Sequence, residues 1–192
     1  MDYFTRSKAS VLVNLKKIDK SRKGDVDFGA RPVVDAFNNH SNYYTTSSCS
    51  GRISVFRESK SRKKFDSGWV FVKHGTVTPD EILSALKSVP LDTLWFRQES
   101  PIFHVACNSL ESASSLLELC RDLGFKHSGI IGAGRRFMVE IIFNEKMDCP
   151  ISENSILYLS REHLNLLILK ANEKLLRNNL LLKKLAVAIK KL

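Results

Sequence analysis

In residues 69–98, WVFVKHGTVTPDEILSALKSVPLDTLWFRQ, two strand patterns enclose a helix pattern. WVFVK and TLWFRQ are rich in aromatic and β-branched residues, which favour strands. Between them, Thr78, Pro79 and Glu81 have the spacing of a capped helix start, and Pro90 ends the helix. The stretch therefore predicts one strand–helix–strand unit.

A second unit of the same order follows directly. IFHVAC predicts a strand, and a helix then runs to Leu123, with Asn108 and Glu111 repeating the capping spacing. Gly124 is a fitting left-handed stop, and Phe125 can fold back onto the helix. SGIIG and RFMVEII predict the remaining strands. We therefore predict an α+β fold with a mixed β-sheet core of two similar strand–helix–strand units, flanked by helices.

The flanking segments complete this prediction. Residues 2–18 have helical apolar spacing, and a short helix is expected from Pro32 to about Asn38. Residues 43–56 read as a strand, a tight hairpin turn and a second strand. A long helix is predicted from Ser160 to the C-terminus. Residues 1–159 are thus expected to form an α+β core, and residues 160–192 a helix packed on it, as a single domain overall.

The C-terminal helix carries an apolar seam with a seven-residue repeat that only one polar residue, Asn178, interrupts. Its members are Leu164, Ile168, Ala171, Leu175, Leu182, Leu185, Ile189 and Leu192. One interpretation is that the seam lies along the helix's own domain, which we prefer for the first half. The alternative for the second half is pairing with a second chain, giving a possible homodimer, or contact with RNA.

The overall charge favours an anionic partner. The 192 residues include 30 Lys and Arg against 20 Asp and Glu, a formal net charge of +10. Such a surplus favours nucleic acid first and an acidic membrane second. The chain starts with charged and polar residues and contains no run of about 18 apolar residues, so we expect no membrane span and a cytoplasmic location. Its four cysteines and five histidines form no paired ligand set, so we predict no metal.

The residues TTSSCSGRI (45–53) are the first candidate site. Ser47 and Ser48 offer hydroxyls, Gly51 permits close approach of a ligand, and Arg52 offers a planar fork of donors for phosphate, carboxylate or a guanine edge. The alternative is an ordinary polar turn, because serine and glycine are common in turns. Cys49 has no neighbouring base in the sequence, which favours a packing thiol over a nucleophile.

Three other segments are candidates for anion binding. GAGRR (132–136) lacks the third glycine of a dinucleotide-binding turn, and a glycine hairpin that presents Arg135 and Arg136 is favoured instead. His104 lies in an alternating strand, as either a core histidine or a ligand contact. The basic residues of the 57–64 loop suit an RNA backbone or only a solvated loop.

Five blocks together resemble one family. DKSRKGDVD, YYTTSSCSGRI, PIFHVAC, LGFKHSGI and ANEKL occur in the order found in the tRNA wybutosine-synthesising methyltransferase family, and the resemblance covers nearly the whole chain. It implies methyl transfer from S-adenosylmethionine to N4 of the tricyclic wyosine-type base on the 3′ side of the anticodon of phenylalanine tRNA. A non-catalytic basic RNA-binding module and a helix-mediated scaffold remain the alternatives.

The resemblance also implies site residues. The substrate-binding residues carried over by matching blocks are Ser21, Lys23, Ser47, Ser48, Gly51, His104, Ser128 and Gly129. Asp27 is the expected acceptor of the ring proton, and Arg52 is expected to hold phosphate or base. The family's turn also occurs with alanine at the position of Ser50, so this hydroxyl is given less weight. The chain lacks the glycine-rich strand-to-helix turn of the common methyltransferase fold, so no residue is assigned to the adenosyl group.

Overall fold

The structure is a computed structural model that describes residues 2–15, 26–61 and 66–192, and these form two compact units. The first unit contains the described residues of Met1–Ser50, Pro101–Asn144 and Asn179–Leu192, and the second unit contains those of Gly51–Ser100 and Glu145–Asn178. The predicted division into residues 1–159 and 160–192 within a single domain stays a prediction.

The α+β class and the long C-terminal helix are confirmed. The elements in chain order are α1 (Tyr3–Asn14), α2 (Arg31–Asn39), β1 (Tyr43–Cys49), β2 (Arg52–Glu58), β3 (Gly68–Lys73), α3 (Pro79–Ala85), β4 (Thr93–Glu99), β5 (Ile102–Cys107), α4 (Leu110–Asp122), β6 (Gly129–Ala133), β7 (Phe137–Ile142), β8 (Met147–Glu153), β9 (Ile156–Leu157) and α5 (Arg161–Ile189). Among the described residues, no helix is long and apolar enough to span a membrane.

The first unit is built on a four-stranded sheet in the order β1-β5-β7-β6. One face of this sheet packs with α2, α4 and the end of α5 around buried residues such as Phe37, Phe103 and Val139. The other face is covered at one end by α1, where the ring of Phe4 lies 5.1 Å from that of Tyr44. The candidate site lies on the rest of this second face, which also carries Ile102 and Ile142.

The second unit is built on a five-stranded sheet in the order β3-β2-β4-β8-β9. Its buried side chains alternate along the strands, with Ile53 and Val55 from β2 and Leu94 and Phe96 from β4. They pack with α3 and with the first part of α5. The alternation places the other residues of these strands, among them Arg52, on the opposite face.

Both predicted strand–helix–strand units are present, one in each unit of the structure. In β3-α3-β4 the two strands lie on either side of β2, and in β5-α4-β6 they lie on either side of β7. Every strand pair in the described residues is antiparallel, so the predicted mixed core sheet is corrected to two antiparallel sheets. The reason is that each helical connection skips one strand, which pairs antiparallel with both of its neighbours.

The predicted start of α3 and the predicted end of α4 are confirmed. The helix predicted over residues 2–18 is α1, which ends at Asn14, and residues 16–18 lie outside the described part of the chain. Thr78 and Glu81 form the expected capping box, and Gly124 ends α4 with φ +87°. The α4 cap is Ser109, whose side chain accepts from the N–H of Ser112, so the predicted start at Asn108 was wrong by one residue. The Ser112 hydroxyl in turn accepts from the N–H of Ser109 and so takes the part that a glutamate usually has at the third helical position.

The predicted hairpin at residues 43–56 is wrong, because its two strands belong to different sheets. β1 pairs with β5, whereas β2 pairs with β3 and β4. β1 buries Tyr43 at its start and β2 buries Ile53 and Val55, and these side chains pack in two separate cores. The chain passes from the first unit to the second between Ser50 and Gly51, and Gly51 has φ +84°, a left-handed conformation that favours glycine.

The heptad seam of α5 packs within the chain. Leu164 and Leu175 lie in the core of the second unit, and Leu182 and Ile189 lie in that of the first. Asn178 is fully buried, and its Nδ2 donates to the carbonyl of Glu145 at 2.9 Å. The seam is therefore not the surface that a second chain would bind, and a homodimer through another face of α5 stays a prediction. Leu192, at the end of the repeat, is exposed.

Candidate active site

Three polar side chains from three strands form a row across the solvent-facing side of the four-stranded sheet. Ser47 of β1 lies opposite His104 of β5, and His104 lies opposite Glu140 of β7. Gly129 of β6 continues the row beside Glu140. Phe103, the neighbour of His104, is buried in the core, and strand alternation therefore turns the His104 ring to the other face.

Hydrogen bonds join the row into a continuous chain. Ser47 Oγ lies 2.8 Å from Nδ1 of His104, and Nε2 of His104 lies 2.8 Å from Oε2 of Glu140. The side chains of His104 and Glu140 are 33% and 26% exposed, so solvent reaches both. An ionised carboxylate only accepts, so Nε2 carries the proton. In a neutral ring Nδ1 is then the acceptor, and the Ser47 hydroxyl donates to it, which leaves the oxygen lone pairs of Ser47 for a substrate N–H.

A β-bulge in β1 brings Ser47 into this row. Thr45 lies opposite Val105, yet the next residue in register, opposite His104, is Ser47 and not Thr46. The extra residue, Thr46, donates its hydroxyl to the carbonyl of His104 at 3.3 Å. β-Bulges often redirect side chains beside active sites. Because of this bulge, the residue opposite His104 is Ser47 and not Thr46.

Asp27 anchors the end of β1. Its Oδ2 accepts from the backbone N–H of Ser50 at 2.9 Å, with the Ser50 hydroxyl at 3.4 Å. Its carbonyl accepts from the N–H groups of Ala30 and Arg31 and so begins α2. A Cβ at Gly29 would lie 3.1 Å from that of Ser50, so glycine permits this close approach. Ser50, given less weight from the sequence, is buried and helps to shape the turn.

Arg52 is fixed within the second unit by an acid and an aromatic ring. Its Nε and Nη2 both lie 2.7 Å from Oε2 of Glu99, and its guanidinium carbon lies 4.3 Å from the centre of a Trp69 ring. Ser54 donates to the other oxygen of Glu99 at 3.3 Å. The Nη1 group has no hydrogen bond within the described part of the chain, so the held guanidinium can still bind an anion.

One further side chain, that of His74, contacts the turn at Gly51. The ring of His74 has Nδ1 2.9 Å from the carbonyl oxygen of Gly51, so Nδ1 carries a hydrogen and donates to it. His74 follows β3 directly, and both residues belong to the second unit. This contact helps to hold Gly51 in its left-handed conformation.

The structure brings together only part of the predicted set. Ser47, His104 and Gly129 lie in one row, whereas Ser48 lies opposite Phe103, on the other side of β1 from Ser47. Ser128 accepts from the N–H of Ile142 at 3.2 Å and so fixes the end of the sheet. The predicted Ser21 and Lys23 lie outside the described residues, as do the basic residues of the range 62–65.

The two arginines of the β6–β7 turn lie away from the row. Arg135 and Arg136 have their guanidinium carbons 5.5 and 5.9 Å from the Tyr3 ring, and Arg136 also donates to the hydroxyl of Tyr44. In an extended strand, Arg136 is separated from Glu140 by about 14 Å. Their aromatic partners hold both cations at the α1 end of the sheet, where they remain candidates for a phosphate contact.

Sequence reasoning missed four residues that contact candidate residues of their own unit, one beside His104 in the first unit and three beside Arg52 or Gly51 in the second. Glu140 had a usable signal, because it is the only charge between Phe137 and Ile142 in an otherwise apolar strand. Glu99, Trp69 and His74 had none, since each acquires its role through a contact with a distant part of the chain.

Comparison with known proteins assigns the family. The model of the family described as methyltransferase TYW3 matches residues 6–191. The chain is 37% identical over 183 residues, covering 95% of it and 92% of the relative, to the Pyrococcus horikoshii protein named tRNA(Phe) 7-((3-amino-3-carboxypropyl)-4-demethylwyosine(37)-N(4))-methyltransferase 1. A Methanocaldococcus jannaschii protein of the same designation without the final numeral is 36% identical over 176 residues, covering 91% of this chain and 90% of that protein.

A solved structure agrees with this assignment. The PH1069 protein from Pyrococcus horikoshii superposes with a TM-score of 0.88 at 37% identity, covering 97% of this chain and 95% of that one. The match extends over both units, and the family model covers the row and the turn alike. The chain therefore belongs to the methyltransferase TYW3 family, as the resemblance of its sequence blocks predicted.

Proposed function

We propose that the chain transfers a methyl group from S-adenosylmethionine to N4 of the tricyclic wyosine-type base in phenylalanine tRNA. The relatives that match along nearly the whole chain are named for this reaction on tRNA(Phe), and the formal charge of +10 suits an RNA substrate. We place the activity in the cytoplasm, where tRNA is modified. The observation that carries the chemical part of the proposal is the hydrogen-bonded row Ser47–His104–Glu140.

The reaction needs a proton acceptor more than it needs an acid. The bond from the methyl carbon to sulfur breaks while the carbon–nitrogen bond forms, and the neutral thioether leaves without protonation. The attacking nitrogen gives up its hydrogen as a proton. Alignment of the nitrogen with the methyl carbon and exclusion of water supply much of the rate, and a positioned base supplies roughly 10²–10⁴ of it.

The row meets the requirement for an acceptor. The oxygen of Ser47 accepts the substrate N–H, and its own proton moves along the 2.8 Å hydrogen bond to Nδ1 of His104. The imidazolium formed in this step is stabilised by Glu140, whose Oε2 lies 2.8 Å from Nε2. The proton therefore ends on His104, beside a carboxylate that is already in contact with the ring.

Asp27 remains a second candidate acceptor. Its observed contact with Ser50 gives it a positioning role as well, because it holds the residue that follows the end of β1. Arg52, held by Glu99 and Trp69, is the expected partner of an anion, either the carboxylate of the methyl donor or a phosphate of the tRNA. The donor set fits a methyl donor of this kind because its carboxylate and a fixed guanidinium are complementary.

The test is methyl transfer from labelled S-adenosylmethionine to two forms of tRNA(Phe). The form that carries the demethylated tricyclic base is expected to gain one methyl group, and the unmodified transcript to gain none. Binding of both RNAs without any transfer would instead favour the non-catalytic RNA-binding module.

A further inference from the structure

A groove on the first unit, away from the row of Ser47, His104 and Glu140, has no assigned role. It lies between α2 and the last turns of α5 and has a volume of about 810 Å³. Arg31 lines one side, and Lys183, Val187 and Lys190 line the other. Lys183 and Val187 are one turn apart on α5, and Lys190 follows just after its last residue, so these side chains face the same way.

The charge of the groove is positive. Arg31, Lys183 and Lys190 are all exposed, and Asp35 is the one acidic residue of the lining. Within the described residues, none of the three cations has a carboxylate within 4.0 Å. Three cations without such partners around a partly apolar floor form a surface that is complementary to a polyanion.

The lining of this groove includes an aromatic ring. Phe28 is 97% exposed, and no other large apolar side chain of the described residues is as exposed. Its backbone is held in place because the carbonyl of the preceding Asp27 accepts from Ala30 and Arg31. A phenyl ring this exposed buries almost no apolar area on folding, and its faces are open for a flat group to stack on.

We propose that this groove binds an unpaired stretch of RNA, with one base stacked on Phe28 and phosphates at Arg31, Lys183 and Lys190. Cations that follow a backbone, together with an aromatic ring that stacks a base, are the usual elements of a single-strand site. A duplex would offer the phosphates but no base face to Phe28. The inference rests on the proposed function, in that tRNA is the RNA, and its anticodon loop supplies unpaired bases.

The two lysines have a spacing that suits this ligand. About two turns at the end of α5 place them roughly 10 Å apart on the same side of the groove, so that each can contact a different phosphate of one strand. Arg31 faces them from α2, so that a strand in the groove has cations on both sides. Stacking of a base on an aromatic side chain changes the dissociation constant by roughly 5- to 150-fold in comparable sites.

The experiment measures the dissociation constant of the full-length chain for unmodified tRNA(Phe) transcript by fluorescence anisotropy over a range of salt concentrations. Phe28→Ala and Phe28→Leu are expected to weaken binding roughly 10-fold, and Phe28→Trp to retain it. Lys183→Gln with Lys190→Gln is expected to reduce the salt slope by about 1.4, at about 0.7 for each single-strand phosphate contact. Thermal unfolding of each variant confirms that the fold is kept.

The matched control is Lys184→Gln with Lys191→Gln, which removes the same charge from neighbouring exposed positions outside the groove. It is expected to change the dissociation constant less than about 2-fold. Equal weakening by both lysine pairs, or wild-type binding by Phe28→Leu, would overturn the inference. Two competition results against bound tRNA(Phe) would also overturn the inference. One is a duplex RNA that displaces the tRNA as well as a single-stranded RNA does, and the other is displacement by polyglutamate at equal charge, because each indicates another kind of partner.

Methyl transfer separates this inference from the proposed function. If the wild-type chain methylates precursor tRNA while the groove variants bind RNA as well as wild type, the groove inference alone fails. If the groove variants lose binding but the wild-type chain transfers no methyl group, the groove inference stands and the proposed function fails.

Discussion

Ser47 and His104 are 57 residues apart in the chain, yet Ser47 Oγ lies 2.8 Å from Nδ1 of the imidazole. The β1 bulge creates this contact by inserting Thr46, and Glu140 extends it across the sheet. The pair gives the unit a hydroxyl that can take a proton from a substrate and pass it on.

Ser47→Ala and His104→Ala are each expected to lower kcat for methyl transfer by about 10²-fold, because each breaks the proton path. The double variant is expected to be no slower than the worse single variant, since the two residues act as one unit. The measurement is single-turnover transfer at saturating tRNA. Thr46→Ala, which removes a neighbouring hydroxyl outside the path, is the control, and multiplicative effects of the two main variants would contradict a shared role.

Asp27→Asn and Asp27→Ala separate a base from a positioning residue. Asparagine keeps an oxygen acceptor for the Ser50 N–H, whereas alanine leaves a largely buried donor without its partner, at a cost of about 1–3 kcal/mol. If Asp27 mainly positions the turn, the alanine variant loses stability in urea unfolding and the asparagine variant keeps most of its activity. Equal losses of kcat in both variants, with unchanged stability, would assign the proton to Asp27.

Arg52→Ala is expected to lower transfer roughly 10- to 100-fold while the fold survives, because a hydrogen bond to a charged group contributes about 1.5–3 kcal/mol. Arg52 is partly exposed at the start of β2, and Glu99 keeps its contact with Ser54 when the guanidinium is removed. Arg161→Ala, which removes an exposed arginine of α5 in the same unit, is the charge-matched control. Wild-type turnover in Arg52→Ala would remove Arg52 from the site.

Gly124→Ala is expected to destabilise the chain by about 1–2 kcal/mol, because φ of +87° is strained for a residue with a Cβ. No atom lies within 4 Å of the added Cβ, so backbone strain is the whole cause. Gly134→Ala also meets no atom within 4 Å, and its φ is not left-handed, so it is expected to be nearly neutral. Urea unfolding of both variants tests this, and equal costs would contradict it.

The four cysteines are expected to differ in their reactivity toward an alkylating reagent, with two buried thiols and two half-exposed ones. Burial raises the pKa of the Cys107 thiol to about 12 and that of Cys120 to about 12, so at pH 8 roughly one in ten thousand of either is ionised. Cys49 and Cys149 are half-exposed. Iodoacetamide at pH 8 should therefore modify only the latter pair in the folded chain, as read by peptide mass spectrometry, and all four after denaturation. Early labelling of Cys120 would contradict the buried core of α4.

Local signals in the sequence were sufficient for most of the elements. The capping box of Thr78 and the left-handed Gly124 each depend on residues within one turn, and both are confirmed. The pairing of β1 could not be read in this way. A serine- and glycine-rich turn between two strands is typical of a hairpin, and only the separate cores of Tyr43 and Ile53 assign the strands to different sheets.

The sequence predicted only those site residues that lie within a block resembling the family. Ser47 and His104 were found because each lies in a block that resembles the family. Their contact depends on the register of β1 with β5 and on a bulge that no local pattern marks. Glu140 joined them through the pairing of β5 with β7, which is equally non-local.

The most direct test of the account combines precursor tRNA(Phe) with labelled S-adenosylmethionine and compares the wild-type chain with Ser47→Ala by nucleoside mass spectrometry. The account predicts one added methyl group on the tricyclic base with the wild-type chain, at N4, and a rate about 10²-fold lower with Ser47→Ala. An unmethylated base after complete binding of the precursor by the wild-type chain would contradict it.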